Sequence, residues 1–259
     1  MSVTGKINQS IIVFGHEKGG TGKSTLAIHV AIGLKYKGYT VGVIDLDARQ
    51  GTTIRFLNRR SKLNLLMPDQ FIGILHSNHD SKEISYAEDM NSLQTALNNM
   101  KNLDFIIMDT RGSNSNFTQL GISVCNKLIT PINDSIIDID MLISIDNNNN
   151  IIFGPYTNTV WEQKKNRNLQ HNRIPIDWYL VRNRVSPIPS QSTARCLEII
   201  KKISQKIGCH IGPSITERII YREMENGKVL FDIPNNHVTN ILHTKGLEDI
   251  NSLIELVLK

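Results

Sequence analysis

The segment Glu17-Lys-Gly-Gly-Thr-Gly-Lys-Ser-Thr25 constrains the fold more than any other part of this chain. It stands between an apolar run, Ile11-Ile-Val-Phe14, and an apolar-periodic stretch, Leu26-Ala-Ile-His-Val-Ala-Ile-Gly-Leu34. A strand that enters a glycine-rich loop and then opens a helix is the setting in which such glycines bind phosphate. Glycine at positions 19, 20 and 22 lets consecutive backbone N–H groups ring an anion, with the positive end of the following helix behind them. The phosphate-binding set is therefore Gly19, Gly20, Thr21, Gly22, Lys23, Ser24 and Thr25. Lys23 is placed to reach the β- and γ-phosphates, and the Ser24 hydroxyl to ligate Mg²⁺. Six fixed positions of this kind arise by chance in a chain this long with a probability on the order of 10⁻⁴, so the loop reads as a nucleotide site.

Strand candidates at Ile11–Phe14, Val41–Asp45, Phe105–Asp109, Leu128–Pro131 and Trp178–Val181 alternate with helical patterns. The helical patterns cover Ser24–Tyr36 (ended by Gly38), Gln50–Arg59, Tyr86–Met100, Thr193–Ile207 and Val238–Leu258. This alternation predicts parallel βαβ units, hence an α/β fold with a mostly parallel central sheet flanked by helices. Phe105–Met108 is continuously apolar, as a strand covered on both faces should be. Leu63–Ser85 has no clear periodicity. The asparagine run Asp146–Asn150 and the Lys/Arg/Asn/Gln-rich stretch Lys164–Arg173 read as polar surface insertion. With 259 residues, 40% of them hydrophobic, one domain over residues 1–259 accommodates every element.

Three cysteines without C-x-x-C spacing argue against a disulfide frame and against a zinc site. No run approaches the length of a membrane span, and the N-terminus enters the first strand with no room for a signal peptide, so a cytoplasmic location is expected. The net charge of +5 allows a polyanionic partner without requiring one.

Hydrolysis beside a phosphate loop needs carboxylates at the carboxyl ends of neighbouring strands. Two strands end that way, in Ile44-Asp-Leu-Asp47 and in Met108-Asp-Thr-Arg-Gly112. Asp109 is the expected Mg²⁺ partner with Ser24, and Asp47 or Asp45 is expected to position the attacking water. The remaining departure is Lys18. An ordinary loop, G-x-x-x-x-G-K-[ST], has glycine where this chain has Glu17, followed by a second lysine. Lys18 cannot easily fold onto the phosphates of its own loop alongside Lys23. It can instead reach a nucleotide held by a facing subunit, as an arginine finger does in trans. Lys18, Lys23 and Asp47 are thus the catalytic candidates, and ATP the expected glue of a two-fold dimer.

Asn126-Lys-Leu-Ile129 begins like a guanine-reading Asn-Lys-x-Asp element but ends in Ile and enters a strand, which favours ATP over GTP. His76, His79 and Asp80 lack a third His or Cys nearby and read as a polar loop rather than a metal site.

The doubled-lysine loop resembles the deviant Walker A motif of the ParA/MinD family of dimerising ATPases, P-loop NTPases of the SIMIBI type. Within that family the chain is similar to the MipZ branch, whose members position the division site. The similarity is carried by Ile44-Asp-Leu-Asp-Ala-Arg-Gln50, Pro131–Leu142, Thr159-Val-Trp-Glu162, Asp177–Arg184, Ile211-Gly-Pro213 and Glu217–Glu223, spread over nearly the whole chain. The resemblance implies that ATP and Mg²⁺ bring two monomers face to face, that Lys18 crosses the interface, and that the dimer binds DNA without sequence preference. It implies that Asp47 supports slow hydrolysis that returns the monomer, that Asp45 and Asn183 join the nucleotide site, and that Asn183 lies beside adenine. The implied partners are a ParB-like centromere protein and FtsZ, whose polymerisation the dimer inhibits, and the implied location is the nucleoid.

Two departures from the family pattern stand out. Its second switch reads Asp-Thr-Pro-Gly, where this chain has Asp109-Thr-Arg-Gly112. Its DNA-binding arginines are thinned here to Arg195, leaving Lys201, Lys202, Lys206, Arg218 and Arg222 as further phosphate-contact candidates. Two alternatives follow: a ParA-type partition ATPase, and a nucleotide-locked binding module in which Arg111 has spoiled hydrolysis. A MinD-like membrane switch would need a basic amphipathic C-terminal helix. Gly246–Lys259 carries three acids and one base, so no membrane partner is expected.

Overall fold

The apolar runs form one seven-stranded parallel sheet in a computed structural model that describes residues 9–145, 151–169, 174–188, 190–218, 221, 226–233 and 240–259. Its strands are β1 (Ser10–Phe14), β2 (Val41–Asp45), β3 (Gln70–Gly73), β4 (Phe105–Asp109), β5 (Lys127–Asn133), β8 (Asp177–Asn183) and β9 (His210–Ile211), in the spatial order β3-β2-β4-β1-β5-β8-β9. A separate antiparallel pair, β6 (Ile143–Ile145) with β7 (Ile151–Phe153), lies outside the sheet. The helices are α1 (Lys23–Tyr36), α2 (Thr52–Arg60), α3 (Lys82–Asn99), α4 (Asn116–Val124), α5 (Ile136–Ile139), α6 (Pro155–Asn168), α7 (Gln191–Ile207) and α8 (Asn240–Leu258).

Successive residues of the central strands feed opposite faces, as a parallel sheet covered on both sides requires. Val13, Ile106 and Met108 enter the core under α3, α4, α6 and α7. Ile12, Phe14, Phe105 and Ile107 enter the core under α1, α2 and α8. Helix α1 is buried almost all round because α8 closes over it. A Cβ on Gly33 would lie 2.3 Å from Ile254 Cδ1, so glycine there permits the close approach. The register sets the site: Phe14 pairs with Asp109, and Asp109 with Asp45, so the phosphate loop and both acidic strand ends emerge at one edge.

The structure extends several expected elements and adds others. Helix α2 starts at Thr52 rather than Gln50, because Gly51 takes a left-handed φ of 56°. Helix α3 begins at Lys82, where Ser81 Oγ accepts the Ile84 N–H at 3.4 Å; in its first turn the apolar Ile84 is exposed and the polar Ser85 buried, so no apolar periodicity announces it. β3, in the stretch without periodicity, is a four-residue edge strand with exposed positions and no apolar run. Helix α7 begins two residues early, capped by Ser190, and ends at Gly208 in the left-handed region. Helices α4 and α6 were not expected. Lys164–Asn168, read as insertion, form the end of α6, while residues 146–150 and 170–173 lie outside the described residues. Asn126 Oδ1 accepts the Ile11 N–H at 2.7 Å, which ties β1 to the start of β5. His79 Nδ1 accepts the Ser81 N–H, and the described residues contain no cluster of three metal-ligating side chains. The three cysteines are free.

Candidate functional site

The loop between β1 and α1 turns through two left-handed glycines, Gly20 at φ 77° and Gly22 at φ 92°. Gly22 allows a close approach as well: a Cβ there would sit 2.1 Å from Asn183 Nδ2. That amide donates to the Thr21 carbonyl at 2.7 Å, so Asn183, at the end of β8, fixes the loop from the far side. The first turn of α1 has no side-chain cap and no acidic residue, which leaves its N–H groups and positive dipole open to an anion. Gly112 packs directly on the loop, where a Cβ would come within 2.9 Å of Gly19 Cα.

Both lysines are held within the chain. Lys23 Nζ donates to the Lys18 carbonyl at 2.8 Å; burial lowers its pKa, while Asp109 and Asp47 pull the other way. Lys18 folds inward, its Nζ ion-paired with the fully buried Asp138 carboxylate rather than reaching outward. The Lys18 N–H donates to His16 Nδ1 at 2.9 Å, and burial holds His16 neutral with a pKa of about 4.

The carboxylates divide into distinct jobs. Asp45 Oδ1 accepts the Asp47 N–H at 2.9 Å, and its Oδ2 accepts the Thr53 and Ile54 N–H groups at 3.1 and 3.2 Å. It therefore caps α2 and ties that helix to the sheet. Asp109 Oδ2 accepts from Thr53 Oγ1 at 2.7 Å, whereas its buried Oδ1 has no hydrogen-bond partner among the described residues. Burial and the neighbouring Asp45 push the Asp109 pKa up to about 7, against the pull of the Ser24 and Thr53 hydroxyls and Lys23. Two buried acids in register with an orphaned oxygen suit a divalent cation, which would supply the missing partner and relieve the repulsion. Thr21 Oγ1 is a second orphan beside them. Asp47, half-buried, lines the same cleft of about 230 Å³ with Lys23, Ser24, Asp109 and Gly112.

A neighbouring cavity of about 180 Å³ continues from the loop, between Thr25, Leu26, Asn183, Thr216 and Tyr221. The buried Tyr221 hydroxyl and Arg218 Nε have no hydrogen-bond partner there among the described residues. The wall of this cavity is mostly polar, with Leu26 and Tyr221 as the apolar surfaces, and a cavity of that make-up beside a phosphate loop can take a base against those two side chains. Arg184 lines both cavities, although the sequence singled out only its neighbour Asn183.

Among the DNA-contact candidates, Arg195, Lys201 and Lys202 are exposed on α7, opposite its buried Cys196, Ile200 and Ile203. Arg218 is largely covered and paired with Asp249 at 3.4 Å, and Arg222 lies outside the described residues. Arg111 lines a different cavity, with Asp47, Arg49, His76 and Phe117, while its neighbours Thr110 and Gly112 face the phosphate cleft. His16 and Thr53 were not singled out by the sequence, and Asp138 and Arg184 lay only within stretches that resembled the family, with nothing local assigning either a role.

A family model described as ATPase MipZ matches residues 10–258. An McdA–ATP complex from Cyanothece superposes with a TM-score of 0.65 at 16% identity, covering 94% of this chain and 96% of that one. A plasmid partition protein from Borrelia burgdorferi B31 bound to AMPPNP gives 0.63 at 20% identity, covering 97% and 100%. Cobyrinic acid a,c-diamide synthase from Mycobacterium smegmatis with an ATP analogue and magnesium gives 0.60 at 14% identity, covering 96% and 94%. At these identities the likeness shows a shared fold. Sequence relatives match over shorter stretches. The cytosolic Fe–S cluster assembly factor nubp2 of Xenopus tropicalis is 41% identical over 21% of this chain and 20% of its own length. An uncharacterized protein of Methanocaldococcus jannaschii is 29% identical over 46% of this chain and 54% of its own. The chain thus spans about a fifth and about half of these two relatives.

Proposed function

The chain belongs to the MipZ family of ATPases, and from that premise we propose that it is an ATP-switched dimer that positions a division site. In this reading the ATP-bound dimer binds DNA without sequence preference and inhibits FtsZ assembly. A ParB-like protein recruits the monomer, and slow hydrolysis resets the cycle in the cytoplasm on the nucleoid.

The observation that carries the reading is the linked placement of the two lysines. Phosphates entering the loop draw on the same Lys23 ammonium that donates to the Lys18 carbonyl, and we infer that they weaken or replace that bond. In this reading that loosens one of the two backbone anchors of Lys18, whose side chain can then exchange Asp138 for the phosphates of a facing subunit. Ser24 and Asp109 would hold Mg²⁺, which when bound supplies charge neutralisation for the phosphates. The Asp47 carboxylate accepts no hydrogen bond from a described residue, unlike that of Asp45, and is the better placed to orient water. Asp45 carries movement of the site into α2 through its cap. Gly112, packed on Gly19, does the same for the second switch.

The nucleotide-locked alternative assigns Arg111 the role of spoiling hydrolysis. Its position on the cavity beside the phosphate cleft favours an active enzyme instead. The absence of a membrane partner is supported by α8, whose Ile250, Leu253, Ile254 and Val257 are buried against the body of the protein. No described helix is long and apolar enough to cross a membrane. Sedimentation of FtsZ with the Asp47→Ala variant in ATP tests the proposal. Less FtsZ should pellet with ATP than with ADP; an unchanged pellet would favour the partition-type reading.

A further inference from the structure

We propose that Arg184 is a nucleotide-binding residue whose guanidinium clamps the polyphosphate of a nucleotide held by its own subunit. The inference rests on the nucleotide reading of the site and adds a cation that the loop motif does not contain.

Three observations meet at this residue. First, Arg184 lies where the cavities join, lining both the phosphate cleft and the base pocket. Second, its backbone is left-handed, with φ at 53°; among the described residues the other non-glycine case is Asn64. Asparagine visits that region readily, whereas arginine does so only where its surroundings over-determine the bend. Here they do. On one side Asn183 is held by the β8 ladder opposite Asn133 and by its bond to the Thr21 carbonyl. On the other, the Val185 N–H donates to the Ile215 carbonyl at 3.0 Å, and the Glu217 N–H to the Val185 carbonyl at 2.9 Å. Third, the exposed guanidinium has no hydrogen bond or ion pair with a described residue. Arg182, two residues earlier, is by contrast engaged by Asp134 at 2.8 Å and by the Thr193 carbonyl.

Local charge calls for such a group. The phosphate cleft is lined by Asp45, Asp47 and Asp109, with Lys23 and Arg184 as its cations, while Lys18 is turned away onto Asp138. Lys23 serves the loop end of a polyphosphate. Arg184, beside the base pocket, is placed for the end nearer the ribose. A guanidinium there can grip phosphate oxygens with two parallel N–H groups, which a lysine cannot do. Glycine or asparagine would relax the backbone at this bend, so the strained arginine is best explained by its side chain.

The test compares Arg184→Asn and Arg184→Gly, both of which suit the left-handed backbone, with wild type by calorimetric titration of ADP and of adenosine. Both variants should lose at least about tenfold in ADP affinity, the loss expected of a charge-assisted bidentate contact, while adenosine binding stays within about twofold. Arg184→Gly should also melt no lower than wild type, which separates lost binding from lost folding. ADP binding unchanged in both variants, or ADP and adenosine weakened alike, would overturn the assignment with the nucleotide site left standing. A wild-type chain that binds no ADP would overturn the nucleotide reading itself.

Discussion

Lys18 Nζ is paired with the Asp138 carboxylate, 120 residues further along the chain, and the other oxygen of that carboxylate accepts the Asn133 N–H at 2.8 Å. The lysine assigned to a facing subunit is therefore latched inside its own. Asp138→Asn keeps an acceptor for Asn133 but removes the charge that holds Lys18. The ATP concentration at half-dimerisation, followed by analytical ultracentrifugation, should fall by about two- to fivefold, the scale of a partly exposed ion pair. An unchanged midpoint would mean that the pair does not restrain the switch.

Asp47→Ala should leave ATP affinity within a few-fold of wild type and slow phosphate release by about 100-fold or more, the usual loss when a water-orienting acid is removed. Asp45→Ala differs in kind, since it uncaps α2 and exposes three backbone donors. It should lower thermal stability as well as turnover. Equal melting temperatures for the two variants would contradict this division of labour.

Asp109 links the site to pH. Its carboxyl ordinarily titrates at 3.8 and is pushed to about 7 in the fold. Between those values the unfolded chain has lost this proton and the folded chain keeps it, so the group's contribution makes stability fall as pH rises from about 4 to about 7, then level off. Asp109→Asn removes that slope. Without ligand it should be the more stable protein at pH 8, by at most about 4 kcal/mol, and should lose the Mg²⁺ dependence of ATP binding. Parallel wild-type and variant curves of denaturation midpoint against pH would refute the shift. The comparison cancels the opposite trend from buried His16 and His29, whose pKa values of about 4 favour the folded state as pH rises.

The sequence made the strand ends and the loop legible because apolar runs, glycines and terminal acids are local signals. Val41–Asp45 and Phe105–Asp109 have the expected bounds, and the register then brings Asp45 and Asp109 side by side. What was not legible depends on distant partners. Asp138 lay in a stretch that resembled the family, but nothing local tied it to Lys18. Asp45 read as a ligand to nucleotide or water, and nothing local showed that its Oδ1 would accept the Asp47 N–H and its Oδ2 the first turn of α2. Helix α6, whose Tyr156 hydroxyl donates to the Gly15 carbonyl at 2.8 Å beside the loop, has polar and apolar residues that follow no helical stripe.

Arg60 and Asp232 form a fully buried pair, with N–O distances of 2.5 and 2.8 Å, that ties α2 to the Leu230–Asp232 turn. Arg60→Leu strands a buried carboxylate and should destabilise by about 3–5 kcal/mol in a urea titration. Adding Asp232→Leu should recover much of that loss. A single variant within about 1 kcal/mol of wild type would show the pair to be dispensable.

The central claim is that Lys18 converts nucleotide state into oligomeric state. Light scattering of the Asp47→Ala chain, with and without Lys18→Ala, tests it most directly. The expected masses are a dimer for Asp47→Ala in ATP, a monomer in ADP, and a monomer in ATP once Lys18 is also replaced. A dimer that persists in ATP without Lys18 would contradict the account.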